Sequence, residues 1–161
     1  MQSFVDATIT AYGYGKDNAY RGHPNGLDCV ARCLDPKRNF GGAAHAVLGS
    51  GVFQYPTSMA VRPESKIPYG SMVYVHGMGW FVVEDQCNTC FVGSRFDVWS
   101  GPTDKHEMSN LSGKMNVDLY TEPTSVPRDI RSLGPSPKWT THFQKMKERI
   151  RAQGLPLFVV P

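Results

Sequence analysis

The chain lacks several features that would assign it to a common class at once. Its 161 residues contain no apolar run near the roughly 20 residues that a membrane-spanning helix needs. It has no Walker loop, no GxGxxG and no carboxylate-rich calcium loop, which excludes the phosphate and calcium sites that those motifs build. Its first residues, MQSFVDATITAYG, lack the basic and apolar regions of a signal peptide. We therefore expect either an intracellular chain or a mature form that begins at Met1.

Charge is also scarce, at 19% of residues, and the formal net charge is only +3. That balance suits contact with an anionic polymer but does not indicate a nucleic-acid partner. What the chain does have is 16 glycines and 12 prolines, which favour short strands and many turns over long helices. The length fits one monomeric domain with a moderate core.

Short alternating apolar segments predict a mainly β fold. ATITAYG reads as one strand, SMVYVHGMGWFVVED as a hairpin that turns at Gly77 and Gly79, and SRFDVW and MNVDLYT as two further strands. Several short strands at close spacing favour a small closed barrel, because closure removes aggregation-prone edges. We place this barrel in residues 1–120, with a long loop between Asn18 and Val52.

Residues 121–161 form a proline-rich connector followed by a C-terminal helix that packs on the same domain. The segment TTHFQKMKERIRAQG carries Phe143, Met146 and Ile150 at helical intervals. Thr141 and Gln144 have the spacing of a capping box, and Gly154 suits the position after the helix.

Four cysteines occur as two close pairs, Cys29/Cys33 and Cys87/Cys90. Disulfides are the leading interpretation, and they would imply a secreted or periplasmic protein in its mature form. The same spacing also fits a structural four-thiolate zinc site, and free or redox-active thiols are a third reading. The five histidines show no two-ligand spacing, so we expect no cofactor and no other metal site.

Asp85 and Asp97 lie twelve positions apart, at the end of one predicted strand and inside the next. If Phe96 and Val98 face the core, Asp97 shares the opposite face with Arg95 and Trp99. An aromatic ring can stack on a sugar, and its apolar bulk raises the pKa of a neighbouring acid. Because glycosidic cleavage needs a protonated acid to deliver a proton, the two aspartates are a candidate catalytic pair.

A resemblance supports this interpretation. Residues 57–101 resemble the 3D domain of lytic transglycosylases, through PYGSMVYV, the Gly77-Met78-Gly79 turn, Val83-Glu84-Asp85 and GSRFDVW. The resemblance implies a six-stranded double-psi β-barrel, the fold of expansins, barwin-like proteins and family 45 endoglucanases. It also implies that Asp97 is the general acid/base and Asp85 its partner.

A shorter resemblance concerns the first strand. Thr10-Ala11-Tyr12-Gly13 is similar to the Thr-x-Tyr of expansin-type grooves, Phe96-Asp97 resembles their Phe-Asp, and Asp17 lies where those proteins carry a further aspartate. Trp80 and Trp99 are further candidate groove aromatics, and Arg95 is the cation beside Asp97. The substrate-binding residues that we predict are therefore Thr10, Tyr12, Asp17, Trp80, Arg95 and Trp99. One departure from the 3D pattern is Arg62, which stands where the first of its three aspartates falls.

Three functions remain open. The leading one is a cell-wall polysaccharide-active barrel that cleaves a glycosidic bond, as a peptidoglycan lytic transglycosylase or an endoglucanase does. The second is a non-catalytic, expansin- or barwin-like glycan binder. The third is a secreted protein-binding module, such as a protease inhibitor or effector.

Overall fold

A computed structural model describes residues 1–14, 57–86, 95–102 and 105–153. Six strands close into a barrel within these residues: β1 Gln2–Tyr14, β2 Thr57–Val61, β3 Met72–Val75, β4 Gly79–Gln86, β5 Arg95–Pro102 and β6 Gly113–Tyr120. Around the barrel the order is β1-β5-β2-β4-β3-β6, and β6 closes back on β1. The pairs β1–β5 and β2–β4 are parallel, whereas the other four are antiparallel. The predicted mainly β, closed-barrel fold is therefore confirmed.

Alternation along the strands fills the barrel, because successive side chains of a strand point to opposite faces. Every second residue along these strand segments is apolar, is at most 3% exposed and belongs to the main core: Ile9, Met59, Val61, Val73, Val75, Phe81, Val83, Phe96, Val98, Val117 and Leu119. The intervening residues point away from this interior. The sequence pattern of each strand thus decides which of its side chains remain available for a site.

The β3–β4 hairpin turns where the sequence predicts it. Gly77 has φ +91° and Gly79 has φ +134°, backbone values that residues with a Cβ rarely adopt. The Met78 amide donates to the Val75 carbonyl at 3.0 Å and closes the turn.

Three α-helices lie among the described residues: α1 Lys105–Leu111, α2 Arg128–Arg131 and α3 Pro137–Gln153. Two short 3₁₀ helices, Pro63–Ser65 and Pro123–Ser125, accompany them. α3 is the predicted C-terminal helix, and its Trp139, Phe143 and Met146 join the main core of the barrel. None of these helices is long and apolar enough to cross a lipid bilayer. The sequence did not predict α1 or α2.

The predicted cap of α3 is wrong. Ser136, not Thr141, caps the helix: its hydroxyl accepts the Trp139 amide at 3.2 Å and its carbonyl accepts the Thr140 amide at 2.8 Å. Pro137 then occupies the first helical position, where its missing N–H costs nothing. Thr141 lies one turn inside and donates to the Pro137 carbonyl at 3.0 Å. Gly154 and the loop predicted between Asn18 and Val52 lie outside the described residues.

Candidate functional site

Asp97 lies in β5 between two core residues, Phe96 and Val98, which are 2% and 0% exposed. The alternation of the strand therefore places Asp97 on the outer face of the barrel, together with Arg95, as the sequence predicts. Both side chains are half-buried. A carboxyl group in this position is partly withdrawn from water but is not sealed in the core.

Parallel pairing of β1 with β5 brings Thr10 directly opposite Asp97. The Thr10 hydroxyl donates to Asp97 Oδ1 at 2.7 Å and accepts a hydrogen bond from Arg95 Nε at 3.1 Å. These contacts form a short chain from guanidinium to hydroxyl to carboxyl. Thr10 and Arg95, predicted separately as substrate-binding residues, thus lie together at the acid.

Burial raises the pKa of the Asp97 carboxyl above its ordinary value. The hydrogen bond from Thr10 and the positive charge of Arg95 oppose this change, because both stabilise the carboxylate. Burial has the larger effect, so the pKa lies on the side that an acid catalyst requires.

Asp85 occupies the same row of the sheet, two strands away from Asp97. Ala60 of β2 is the register partner of Asp97 on one side and of Asp85 on the other. Since neighbouring strands are 4.7–4.9 Å apart, the Cα atoms of the two aspartates are separated by about 9–10 Å. The row across four strands therefore reads Thr10, Asp97, Ala60, Asp85, and we call it the acid row.

A register shift between β2 and β4, of the kind that a β-bulge makes, puts Asp85 into this row. Met59 pairs with Val83, but the next residue, Ala60, pairs with Asp85, so the Glu84 position is passed over. Without this irregularity Ala60 would pair with Glu84. Bulges are over-represented beside active sites, where they change which side chain the strand presents. Neither the bulge nor the role of Ala60 was predicted from the sequence, where a small residue at an outward strand position is the one signal of this site.

Tyr12 continues the β1 side of the row. It is half-buried and packs against Ala60, which is itself only 2% exposed. Tyr12 therefore covers the centre of the row beside Asp97. Asp17, the further predicted site residue on this segment, lies outside the described residues.

The two tryptophans predicted to line the groove are buried. Trp80 is 1% exposed, packs with Tyr120 and Val126, and donates from Nε1 to the Ile130 carbonyl at 2.9 Å. The segment after β6 folds back over this outward face, which the strand pattern could not reveal. Trp99 is 0% exposed and belongs to the main core. Neither ring offers an open face for a sugar, so the expectation that they stack on substrate needs this correction.

The cysteines Cys29, Cys33, Cys87 and Cys90 lie outside the described residues, so their disulfide or zinc interpretation stays a prediction. Within the described part of the chain, no group of three or more His, Cys, Asp or Glu side chains is arranged to hold a metal ion. Of the predicted site residues, the structure joins Thr10, Asp97 and Arg95 by hydrogen bonds and brings Asp85 into the same row by register.

The fold and the site together define a closed six-stranded β-barrel with a half-buried acid on its outer face. The chain belongs to the family described as the DDB_G0273701 N-terminal domain, whose model matches residues 4–142. That range runs from β1 into α3 and so contains the whole acid row. No match was found among curated proteins or among solved structures.

Proposed function

We propose that this protein is a cell-wall polysaccharide-active double-psi barrel that cleaves a glycosidic bond, with Asp97 as general acid/base and Asp85 as its partner. The observation that carries the proposal is the row in which Thr10, Asp97, Ala60 and Asp85 are register partners across four strands. Its aspartates are the two that the 3D-domain resemblance assigns to chemistry.

The surroundings of Asp97 suit an acid that must both give and take back a proton. Burial favours its neutral form, which can protonate the oxygen of a leaving sugar. The Thr10 hydroxyl, 2.7 Å away, and the nearby Arg95 charge favour its ionised form once the proton has left. Because burial has the larger effect, the neutral form that can donate a proton is favoured more than it is in an ordinary solvated aspartate.

The spacing of the row bears on the type of cleavage. Inverting glycosidases hold their carboxyl groups roughly 6.5–9.5 Å apart, whereas retaining enzymes hold them about 5–5.5 Å apart. The Cα atoms of the two aspartates are two strand spacings apart, and we propose the wider arrangement, in which a water or a substrate hydroxyl reacts between acid and base. In a lytic transglycosylase the 6-hydroxyl of the sugar itself attacks, and we favour peptidoglycan as the substrate.

One observation favours a second candidate, a non-catalytic glycan binder. Arg62 stands where the 3D pattern has its first aspartate, and in the structure its guanidinium lies 3.4 Å from Glu64. A barrel that has exchanged an acid for a cation could retain its groove without turnover.

The test is the digestion of purified peptidoglycan and cellulose by wild type and Asp97→Asn. The substituted amide keeps an oxygen that can accept from Thr10, but it cannot deliver the proton. We expect anhydro-ended or newly reducing fragments from wild type only, with polysaccharide binding retained in both proteins. Asp118→Asn is the matched control, because Asp118 is a carboxylate that pairs with His76 and Ser3 on another part of the barrel.

Binding without product in wild type would select the non-catalytic candidate. Failure of the wild type to bind either polysaccharide would remove both. Equal loss of product in Asp97→Asn and Asp118→Asn would show that general destabilisation, not the acid row, accounts for the effect.

A further inference from the structure

A cavity of about 330 Å³ lies where the starts of β1 and β5 meet the turn after β2. It is separate from the centre of the acid row, since neither Asp97 nor Ala60 lines it. Its walls come from three elements: Gln2 and Phe4, then Val61, Arg62, Ser65 and Ile67, then Arg95 and Phe96.

The floor of the cavity is apolar. Val61 and Phe96 are 3% and 2% exposed, and the rings of Phe4 and Phe96 meet edge to face with centroids 5.3 Å apart. The half-buried Ile67 adds to this surface. Such a floor favours a ligand with a carbon body over a fully hydrated ion.

The charged groups that line the cavity are cationic. Arg62 and Arg95 both contribute to the wall, and among the described residues no carboxylate does. Glu64 lies 3.4 Å from Arg62 but is 71% exposed, and an ion pair of this kind is weak. The cavity wall therefore presents two guanidinium groups to a ligand.

Local hydrogen bonds hold the cationic wall in place. The Ser65 hydroxyl donates to the Arg62 carbonyl at 2.6 Å and accepts the Ile67 amide at 3.4 Å. Lys66 between them takes a left-handed conformation, φ +57°, which closes the turn. On the opposite wall, the contact from Arg95 Nε to Thr10 fixes the second guanidinium. The site is thus formed before any ligand arrives, which lowers the entropic cost of binding.

We propose that this cavity binds a small carboxylate with an apolar carbon body. The planar guanidinium group matches a carboxylate with two parallel hydrogen bonds, and the phenylalanine floor receives the carbon portion. The volume accommodates roughly ten non-hydrogen atoms, judged from the space that a water molecule occupies. Arg95 also contacts Thr10 of the acid row, so a carboxylate bound to Arg95 is separated from that row only by the arginine side chain.

The test uses 3-phenylpropionate as the probe, with calorimetric or NMR titration of the whole chain. Two comparison probes separate the contributions: 3-phenylpropanamide keeps the ring without the charge, and inorganic phosphate keeps the charge without the ring. We expect saturable binding of 3-phenylpropionate, and at least tenfold weaker binding of the other two, on the order expected for a charge-assisted hydrogen-bonded pair.

Variants test the same point from the protein side. Arg62→Gln should weaken binding about tenfold, whereas Glu64→Gln should strengthen it about two- to threefold by removing a competing carboxylate. Glu64 is exposed and Arg62 is half-buried at the cavity wall outside the core, so we expect both variants to keep the fold. Arg128→Gln, an exposed charge on α2, is the matched control and should leave affinity unchanged.

Equal binding of the amide would overturn the role of the arginines, and equal binding of phosphate would overturn the role of the apolar floor. Absence of binding by 3-phenylpropionate, or a Glu64→Gln variant that binds more weakly than wild type, would overturn the proposal as a whole. These readouts do not involve glycan cleavage, so they stand or fall independently of the proposed activity.

Discussion

His142 makes the stability of this protein sensitive to mild acid. It lies in α3, is 7% exposed, and its Nε2 donates to the Ser100 carbonyl of β5 at 2.8 Å. Its ring stacks on Trp139 at a centroid distance of 4.9 Å. Burial lowers its pKa to about 4, from an ordinary 6.5, and the positive charges of Arg149 and Lys145 act in the same direction. The Ser100 carbonyl and Glu107 oppose this change without cancelling it.

The sign follows from proton counting. Between pH 6.5 and about 4 the unfolded chain protonates this imidazole and the folded chain does not, so the unfolded state binds more protons. Stability from His142 is fully present above pH 6.5 and declines as the pH falls toward 4. A pKa difference of this size corresponds to about 3 kcal/mol over the whole window, an order-of-magnitude figure.

The assay is urea unfolding, followed by tryptophan fluorescence, at a series of pH values from about 7.5 to about 4.5, which spans most of the window. The perturbation is His142→Gln, whose amide can still donate to Ser100 but does not titrate. We expect wild type to lose about 2–3 kcal/mol more than the variant across this range. Subtracting the acid-induced loss of unfolding free energy in the variant from that in wild type removes the contributions of carboxyl groups that titrate in both proteins. His106→Gln replaces an exposed histidine of α1 and should keep the acid loss of wild type. Identical pH slopes for wild type and His142→Gln would refute the reasoning.

Three further predictions concern single side chains. Asp97→Asn should leave unfolding free energy at pH 7 unchanged or raised, since it removes a charge that burial disfavours; a loss above about 2 kcal/mol would contradict this. Glu107 contacts Arg149 of α3, and its pKa is lowered to about 2, so its stabilisation is present above about pH 4.5 and disappears as the pH falls through 2. After allowance for solvent screening, Glu107→Gln should cost about 1 kcal/mol at pH 7, with the loss shrinking in about 1 M salt; a salt-independent cost would count against an ionic origin. Trp80→Phe removes the bond to the Ile130 carbonyl and leaves a gap, which should cost about 1–3 kcal/mol in urea unfolding, and an unchanged midpoint would mean that this packing is not formed.

Much of the barrel was predictable because alternation in a strand reflects a local physical constraint. The segments around Ile9, Val75, Phe81 and Val98 each alternate between interior and exterior, and each is a strand. The same logic correctly placed Asp97 on the outer face. A strand pattern carries this information without reference to any distant residue.

What was not predicted has two causes, a contact between distant residues and a competing signal close by in the sequence. The outward position of Trp80 looked available in the sequence, yet the chain after β6 covers it and accepts its N–H. Thr141 had a suitable partner three residues later, but Ser136 followed by Pro137 is the stronger start signal. The first case depends on a residue 50 positions away, whereas the second is decided by a stronger cap one turn earlier in the chain.

Three independent registers build the acid row, and this explains its dependence on the barrel as a whole. The β1–β5 register supplies Thr10, the β2–β5 register supplies Ala60, and the bulged β2–β4 register selects Asp85 instead of Glu84. A slip of one residue in any pair would move its side chains to the opposite face. Closure opposes such slips, because each of the six described strands is held on both sides and none of them is an edge. The position of Asp97 therefore depends on the core residues on either side of it in β5, Phe96 and Val98, whose packing in the closed barrel fixes the register of the strand.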